Sequence, residues 1–230
     1  MNIWVFGHSS CTRCGLSDTE KGWIDLISEK YNSANVYNFG EDGSDNLRIY
    51  FNIGQHLSSI QPTDVIIVGW SHPSRKTFVY DPLNTQHMAF DKLKTIFYGS
   101  NPAFFRSKHK KENSWSFKNI QNFAHRHLTK QNNTFFDTYY KNYYSDTESK
   151  LNFQAYQDSV KLKVPGLYLP FYFSKESVDQ IDDSNLYYLD MILESGEYIS
   201  KQDMHANANG HKLIADFFIK KIDYFLHSSK

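Results

Sequence analysis

The chain has 230 residues, 40% of them apolar and 22% charged, which is enough for a globular domain with a substantial core. Its 25 Lys and Arg balance 25 Asp and Glu, so no global basic field exists to hold nucleic acid or an anionic membrane. No stretch reaches the roughly 18 apolar residues of a membrane span. The N-terminus lacks the basic flank and apolar run of a signal peptide, so a cytoplasmic or virion-associated location is expected. The 17% aromatic content fits AT-rich coding better than an aromatic-lined sugar site. Cys11 and Cys14 form a single C-x-x-C. A zinc site would need two further ligands, and no second pair exists. Two small residues beside a loop are expected there, and neither a metal nor a cofactor is.

Ile3–Phe6 is a short apolar run ending at Gly7 and reads as a buried strand. Residues 18–30 read as a helix capped by Asp18, with Trp23, Leu26 and Ile27 on one face. Asn35–Phe39 predicts a second strand, and Asp45–Leu57 a second helix with Tyr50, Ile53 and Leu57 on its apolar side. Asp64–Gly69 is the clearest strand, because a β-branched run without polar alternation suits a parallel strand covered on both faces. About 85–160 is predicted to be a helical, aromatic-rich insertion. It holds the tyrosine stripe Tyr139, Tyr140, Tyr143 and Tyr144 and the local basic run Arg106–Lys111, read as a solvated face. Val164–Phe173 resumes an extended pattern, with Pro165 and Pro170 arguing for an edge or interrupted strand. Tyr187–Ile192 is read as a last strand, and about 208–226 as a helix with Ile214, Phe217, Phe218, Ile222, Phe225 and Leu226 on its apolar face. The order predicts one α/β domain: a three-layer, doubly wound sandwich around a mostly parallel five-stranded sheet.

Ligands of open parallel sheets collect at the carboxyl ends of the strands. Ser9 follows the first strand closely, where a hydroxyl is exposed at the sheet edge and nearby N–H groups can receive an oxyanion. Asp203 and His205 are spaced i, i+2, so extended backbone puts both on one side, and the carboxylate can fix the imidazole tautomer. The plain alternatives are a cap serine and a polar loop with Asn207 or Asn209 capping the last helix.

Taken together these residues resemble the SGNH/GDSL serine hydrolases. Gly7-His8-Ser9 is similar to the opening Gly-Asp-Ser block, and Gly43-Ser44-Asp45-Asn46 to the second block, whose glycine lends an N–H to the oxyanion hole. Trp23 sits where related sequences often carry a helix tryptophan. Gly69-Trp70-Ser71-His72 falls at the third block, Gly-x-Asn-Asp, and Asp203 to His211 resembles the fifth block. The resemblance covers about 1–75 and 200–226. It implies a Ser9–His205–Asp203 triad acting through an acyl-enzyme on a small ester or glycan ester, with O-acetyl groups on carbohydrate as the substrate class.

Three departures stand out. His8 replaces an aspartate, and Asp203 is two rather than three residues before His205. Ser71 stands where the third block has an asparagine that donates to the oxyanion. Losing one such donor costs about 2.7–4 kcal/mol of transition-state stabilisation. Ser71, Asn46 and Arg75 are the candidate replacements, and Trp70 is a candidate sugar platform. The eroded block also admits a non-catalytic protein of the same fold, such as a glycan-binding virion component. A thiol redox protein using Cys11 and Cys14 is a more distant alternative.

Overall fold

The computed structural model describes residues 1–73, 75–80, 94–98, 145–200 and 203–228. Strand β1 (Asn2–Gly7) leads through a 3-10 turn (Ser9–Cys11) to helix α1 (Trp23–Lys30), then β2 (Asn35–Gly40), α2 (Asn46–His56) and β3 (Val65–Trp70). A strand pair, β4 (Lys76–Tyr80) and β5 (Lys94–Tyr98), is antiparallel. Helix α3 (Asp146–Lys163), β6 (Leu167–Tyr172), the short β7 (Leu186–Tyr187) and α4 (Tyr188–Ser195) follow. The hairpin β8 (Tyr198–Ser200) and β9 (Asp203–Ala206) feeds the closing helix α5 (Ala208–Ser228).

The main sheet has the order β2-β1-β3-β6-β7, and every pairing in it is parallel. Alternation along β1 and β3 divides the core. Ile3, Val5, Val65 and Ile67 pack with Trp23, Ile27, Ile214, Phe218 and Ile222 from α1 and α5. Trp4, Phe6, Ile66, Val68 and Trp70 pack with Ile49, Ile53, Phe153 and Val160 from α2 and α3. Both faces of the sheet are covered, as the expected three-layer architecture requires, and all of β3 is buried.

Local differences from the sequence reading have physical causes. Helix α1 starts at Trp23, not near Asp18, because the Gly22 N–H is taken by the Asp25 carboxylate at 2.8 Å. Asp45 caps α2 by accepting from Arg48 N at 2.9 Å. Asp64 stops short of β3 and instead anchors the sheet's start, accepting from Asn2 N (2.7 Å), Trp4 Nε1 (3.0 Å) and Gln61 N (3.0 Å). Burial raises the pKa of this carboxyl, but the hydrogen bonds outweigh it and the net shift is downward.

Strand β6 is internal only where Phe171 and Tyr172 meet β7. Pro170 precedes that stretch, so its missing N–H sits where the ladder has a single neighbour. The expected last strand shrinks to Leu186–Tyr187, because Tyr188 to Ser195 turn helical and bury Tyr188 and Ile192. Lys94–Tyr98 is a strand where a helical insertion was expected, in keeping with its Thr-Ile-Phe-Tyr content. The tyrosine stripe and the run Arg106–Lys111 lie outside the described residues. Among the described residues, no helix is long and apolar enough to cross a membrane.

Candidate active site

The carboxyl ends of β1, β2 and β3 finish on Gly7, Gly40 and Gly69, which lie side by side in register. This glycine floor lets the 3-10 turn sit directly on the sheet. A Cβ at Gly7 would lie 2.3 Å from Cys11 Sγ, one at Gly40 2.6 Å from Cys11 Cβ, and one at Gly69 2.4 Å from the Phe171 ring. Cys11 is therefore a buried packing residue of the turn, and burial pushes its thiol up to about 12. Burial likewise raises the Cys14 thiol, to about 11, and both cysteines are free. Neither sulfur is primed as a thiolate, which argues against the redox alternative.

Hydrogen bonds close the turn around Ser9. His8 O accepts from Cys11 N at 2.8 Å, and Ser9 O from Thr12 Oγ1 at 2.8 Å. Asn38 Nδ2 donates to Cys11 O at 2.9 Å, and Trp23 Nε1 to Ser10 O at 2.6 Å. The family-like tryptophan thus holds the turn through a main-chain carbonyl. His8 is buried, accepts from Ser10 N at Nδ1 (3.3 Å) and places Nε2 3.2 Å from Ser10 Oγ. Burial first, then the Arg75 cation and His205, holds its pKa well below the usual imidazole value.

The imidazole that faces Ser9 comes from the opposite end of the chain. In β9, Asp203 and His205 project to one side. His205 Nδ1 lies 2.6 Å from Asp203 Oδ1, and the same oxygen accepts from His205 N at 3.1 Å. The two-residue spacing is thereby accommodated, since one carboxylate oxygen serves both donors. His205 Nε2 lies 3.1 Å from Ser9 Oγ across 196 positions of sequence. With Nδ1 protonated toward the carboxylate, Nε2 is an acceptor facing the hydroxyl.

Tyr188 was invisible to sequence reasoning. Its hydroxyl accepts from Ala206 N at 2.8 Å, next to His205, while its ring meets His8 edge-on at 6.3 Å. One side chain braces both halves of the site, and no motif marks it. Asn207 and Gly210 seat the start of α5: Asn207 Oδ1 caps Gly210 N at 3.0 Å, and Asn207 Nδ2 holds Glu197 at 3.0 Å. His211 is buried and accepts from Trp23 N at 3.2 Å, linking α5 to α1. Burial lowers its pKa to about 4, with the Cys14 backbone opposing, although Nε2 makes no hydrogen bond of ordinary geometry among the described residues.

Three of the expected oxyanion or substrate residues are placed otherwise. Trp70 is fully buried, its Nε1 donating to Tyr168 OH at 2.8 Å, so it is a core residue and no sugar platform. Its parity along β3 matches Ile66 and Val68, which face α2 and α3. Asn46 spends its carboxamide on the loop after β3, donating to Ser71 O (2.9 Å) and accepting from Ser71 N (2.8 Å). Among the described residues the Ser71 hydroxyl is sealed from solvent without a partner, as is that of Ser44. Gly43 adopts φ +81°, a left-handed turn suited to glycine, in the loop after β2. Arg75, half-buried, donates from Nη1 to Ser44 O at 3.3 Å.

No family model matches the sequence, and no curated protein sequence matches it significantly. Solved structures do. The psychrotrophic esterase EstA from Pseudoalteromonas sp., inhibited by monoethylphosphonate, is similar over 98% of both chains at 13% identity, with a TM-score of 0.51. A lipolytic protein of the G-D-S-L family from Veillonella parvula is similar over 96% of this chain and 97% of its own, at 15% identity and a TM-score of 0.40. A variant of the acetyl xylan esterase Axe2 from Geobacillus stearothermophilus is similar over 96% and 94%, at 12% identity and a TM-score of 0.40. The five-stranded parallel sheet between helical layers, matched over its length to the esterase EstA, is the fold of the SGNH hydrolases.

Proposed function

We propose that the protein is a serine ester hydrolase in which Ser9 is the nucleophile, His205 the general base and Asp203 the residue that orients the imidazole. The observation that carries this reading is the continuous chain from Asp203 Oδ1 to His205 (2.6 Å) and from His205 Nε2 to Ser9 Oγ (3.1 Å). Both distances lie within hydrogen-bond reach, as a nucleophile–base–orienter arrangement requires.

In this mechanism His205 Nε2 takes the Ser9 proton as Oγ attacks the ester carbonyl carbon. Asp203 stabilises the imidazolium without itself becoming protonated. The backbone N–H groups of Ser9 and Gly43 receive the carbonyl oxygen as it becomes an oxyanion. His205 then gives its proton to the departing alcohol, leaving an acyl ester on Ser9. Water next loses a proton to His205 and attacks that ester, and the returned proton restores the Ser9 hydroxyl as the acid leaves. The reaction is complete with these side chains and water.

For the substrate we infer a small acyl ester, O-acetyl on carbohydrate in the first instance. The SGNH resemblance supports that class, and the esterase activity named for the fold neighbour EstA is of the same kind. The test is turnover of p-nitrophenyl acetate and a panel of acetylated sugars by wild type and Ser9→Ala. The reading expects turnover in wild type and a loss of about 10³-fold or more in the variant. Equal rates in the two proteins would overturn it. The sealed Ser71 hydroxyl in place of an asparagine donor favours one other reading, a glycan-binding protein without turnover. A folded wild type that binds acetylated sugar without hydrolysing it would decide for that.

A further inference from the structure

On the hydrolase reading, Ser9 must keep both its hydroxyl and its backbone N–H in fixed directions. The turn that carries it is short, and its bonds run back to one residue, His8. His8 O accepts from Cys11 N at 2.8 Å, and His8 Nδ1 accepts from Ser10 N at 3.3 Å. Within the turn Ser9–Cys11, only the N–H of Ser9 is not drawn back onto His8. The same bonds fix the tautomer of the ring. A backbone N–H can only donate, so Nδ1 must present a lone pair. The proton of the uncharged imidazole then sits on Nε2, 3.2 Å from Ser10 Oγ, and that hydroxyl accepts it. The aspartate that His8 replaces in the SGNH-like opening block can only accept when ionised. Histidine accepts and donates at once, and so holds Ser10 by main chain and side chain together.

We propose that His8, as the Nε2–H tautomer clamping Ser10 through both its backbone N–H and its hydroxyl, is a positioning residue that sets the direction of the Ser9 hydroxyl and N–H. It acts through the turn and takes no part in making or breaking bonds. The surroundings keep the ring in this one orientation. Phe171, Phe173 and Tyr188 pack on it with ring centroids at 6.4, 5.8 and 6.3 Å, and the residue is buried. Burial, with Arg75 and His205 acting the same way, keeps the imidazole uncharged. A proton on Nδ1 would point at the Ser10 N–H and undo the clamp.

Two measurements on the full chain test this. Long-range proton–nitrogen spectra at neutral pH, with the His8 signals identified by their loss in His8→Asn, should show an Nε2–H imidazole. An Nδ1–H tautomer or an imidazolium at His8 would overturn the proposal. The second measurement takes kcat and KM on p-nitrophenyl acetate, the rate of fluorophosphonate labelling and a thermal melt for wild type, His8→Leu, His8→Asn and Ser10→Ala. His8→Leu keeps an apolar bulk but offers Ser10 no acceptor, so kcat should fall about 10–10²-fold with KM little changed and labelling slowed in proportion. His8→Asn keeps a side-chain acceptor suited to capping and should recover kcat to within about fivefold of wild type. Ser10→Ala removes only the hydroxyl half of the clamp and should fall between the two. A His8→Leu kcat within about threefold of wild type overturns the role, as does a His8→Asn no faster than His8→Leu. If His8→Leu does not fold, the spectra and Ser10→Ala decide, and an unchanged kcat in Ser10→Ala counts against the clamp. Wild type labelled at Ser9 with His8→Leu labelled equally fast sinks this inference alone, whereas unlabelled wild type sinks the hydrolase reading beneath it.

Discussion

The turn bearing Ser9 and the hairpin bearing His205 meet at one 3.1 Å contact, yet they are held in different ways. The turn rests on Gly7, Gly40 and Gly69, with Cys11 wedged onto them and Trp23 clamped to Ser10 O. Its position is fixed by packing against the sheet. The hairpin is half-exposed, with the Asp203 side chain 47% accessible, and depends on directed bonds such as Tyr188 OH to Ala206 N and Ser200 Oγ to Asp203 N. Packing fixes position through volume, so errors there destabilise the protein. Hydrogen bonds fix orientation, so errors in the hairpin cost rate first.

The contrast is broken most severely by changing the proposed base itself. His205→Ala is expected to lower kcat by about 10⁴–10⁶-fold with little change in thermal stability, because its side chain lies at the rim. Steady-state turnover with a thermal melt checks both halves of that statement; a matching collapse in stability would mean that the hairpin, too, is a packing element.

Next is the seam between the halves, where His211 joins α5 to α1. Its folded pKa of about 4 lies below the ordinary 6.5, so between these values the unfolded chain binds a proton that the native protein refuses. Stability should therefore fall as pH drops from about 6.5 to about 4, by on the order of 3 kcal/mol from this residue. Urea denaturation across that range, compared with His211→Gln, measures it; the variant should show a flatter profile.

On the packing side, Gly69→Ala drives a methyl to 2.4 Å from the Phe171 ring and 2.7 Å from Cys11 Sγ. We expect a loss of about 1–3 kcal/mol in urea denaturation. Gly54 in α2 is the control, since a Cβ there meets nothing within 4 Å. Gly54→Ala should be neutral or stabilising by up to about 1 kcal/mol.

The smallest effect sharpens the comparison, because Tyr188 belongs to both halves. Tyr188→Phe keeps the ring against His8 and removes only the acceptor of Ala206 N. Leaving that buried N–H unpaired costs about 1–3 kcal/mol. We expect in addition a several-fold drop in kcat with KM unchanged, as the imidazole loses its alignment. A stability loss with unchanged kcat would assign Tyr188 to packing alone.

The sequence made some of this legible and hid the rest for physical reasons. Strands β1 and β3 announce themselves because a strand covered on both faces must be continuously apolar. Asp203 and His205 are legible because extended backbone puts i and i+2 on one side. Trp70 misled because it ends a strand beside the site, and only the parity of Ile66 and Val68 shows that it turns inward. Asn46 is a reasonable donor by type, but its partner, the main chain of Ser71, is a tertiary fact. Tyr188 acts through a hydroxyl on one backbone N–H, and a contact to main chain leaves no residue-type signature.

Intact-mass analysis with peptide mapping after fluorophosphonate treatment tests the nucleophile assignment most directly. Wild type should gain a single adduct on the peptide containing Ser9, Ser9→Ala should gain none, and His205→Ala should react far more slowly. An adduct elsewhere, or equal labelling of wild type and Ser9→Ala, would contradict the account.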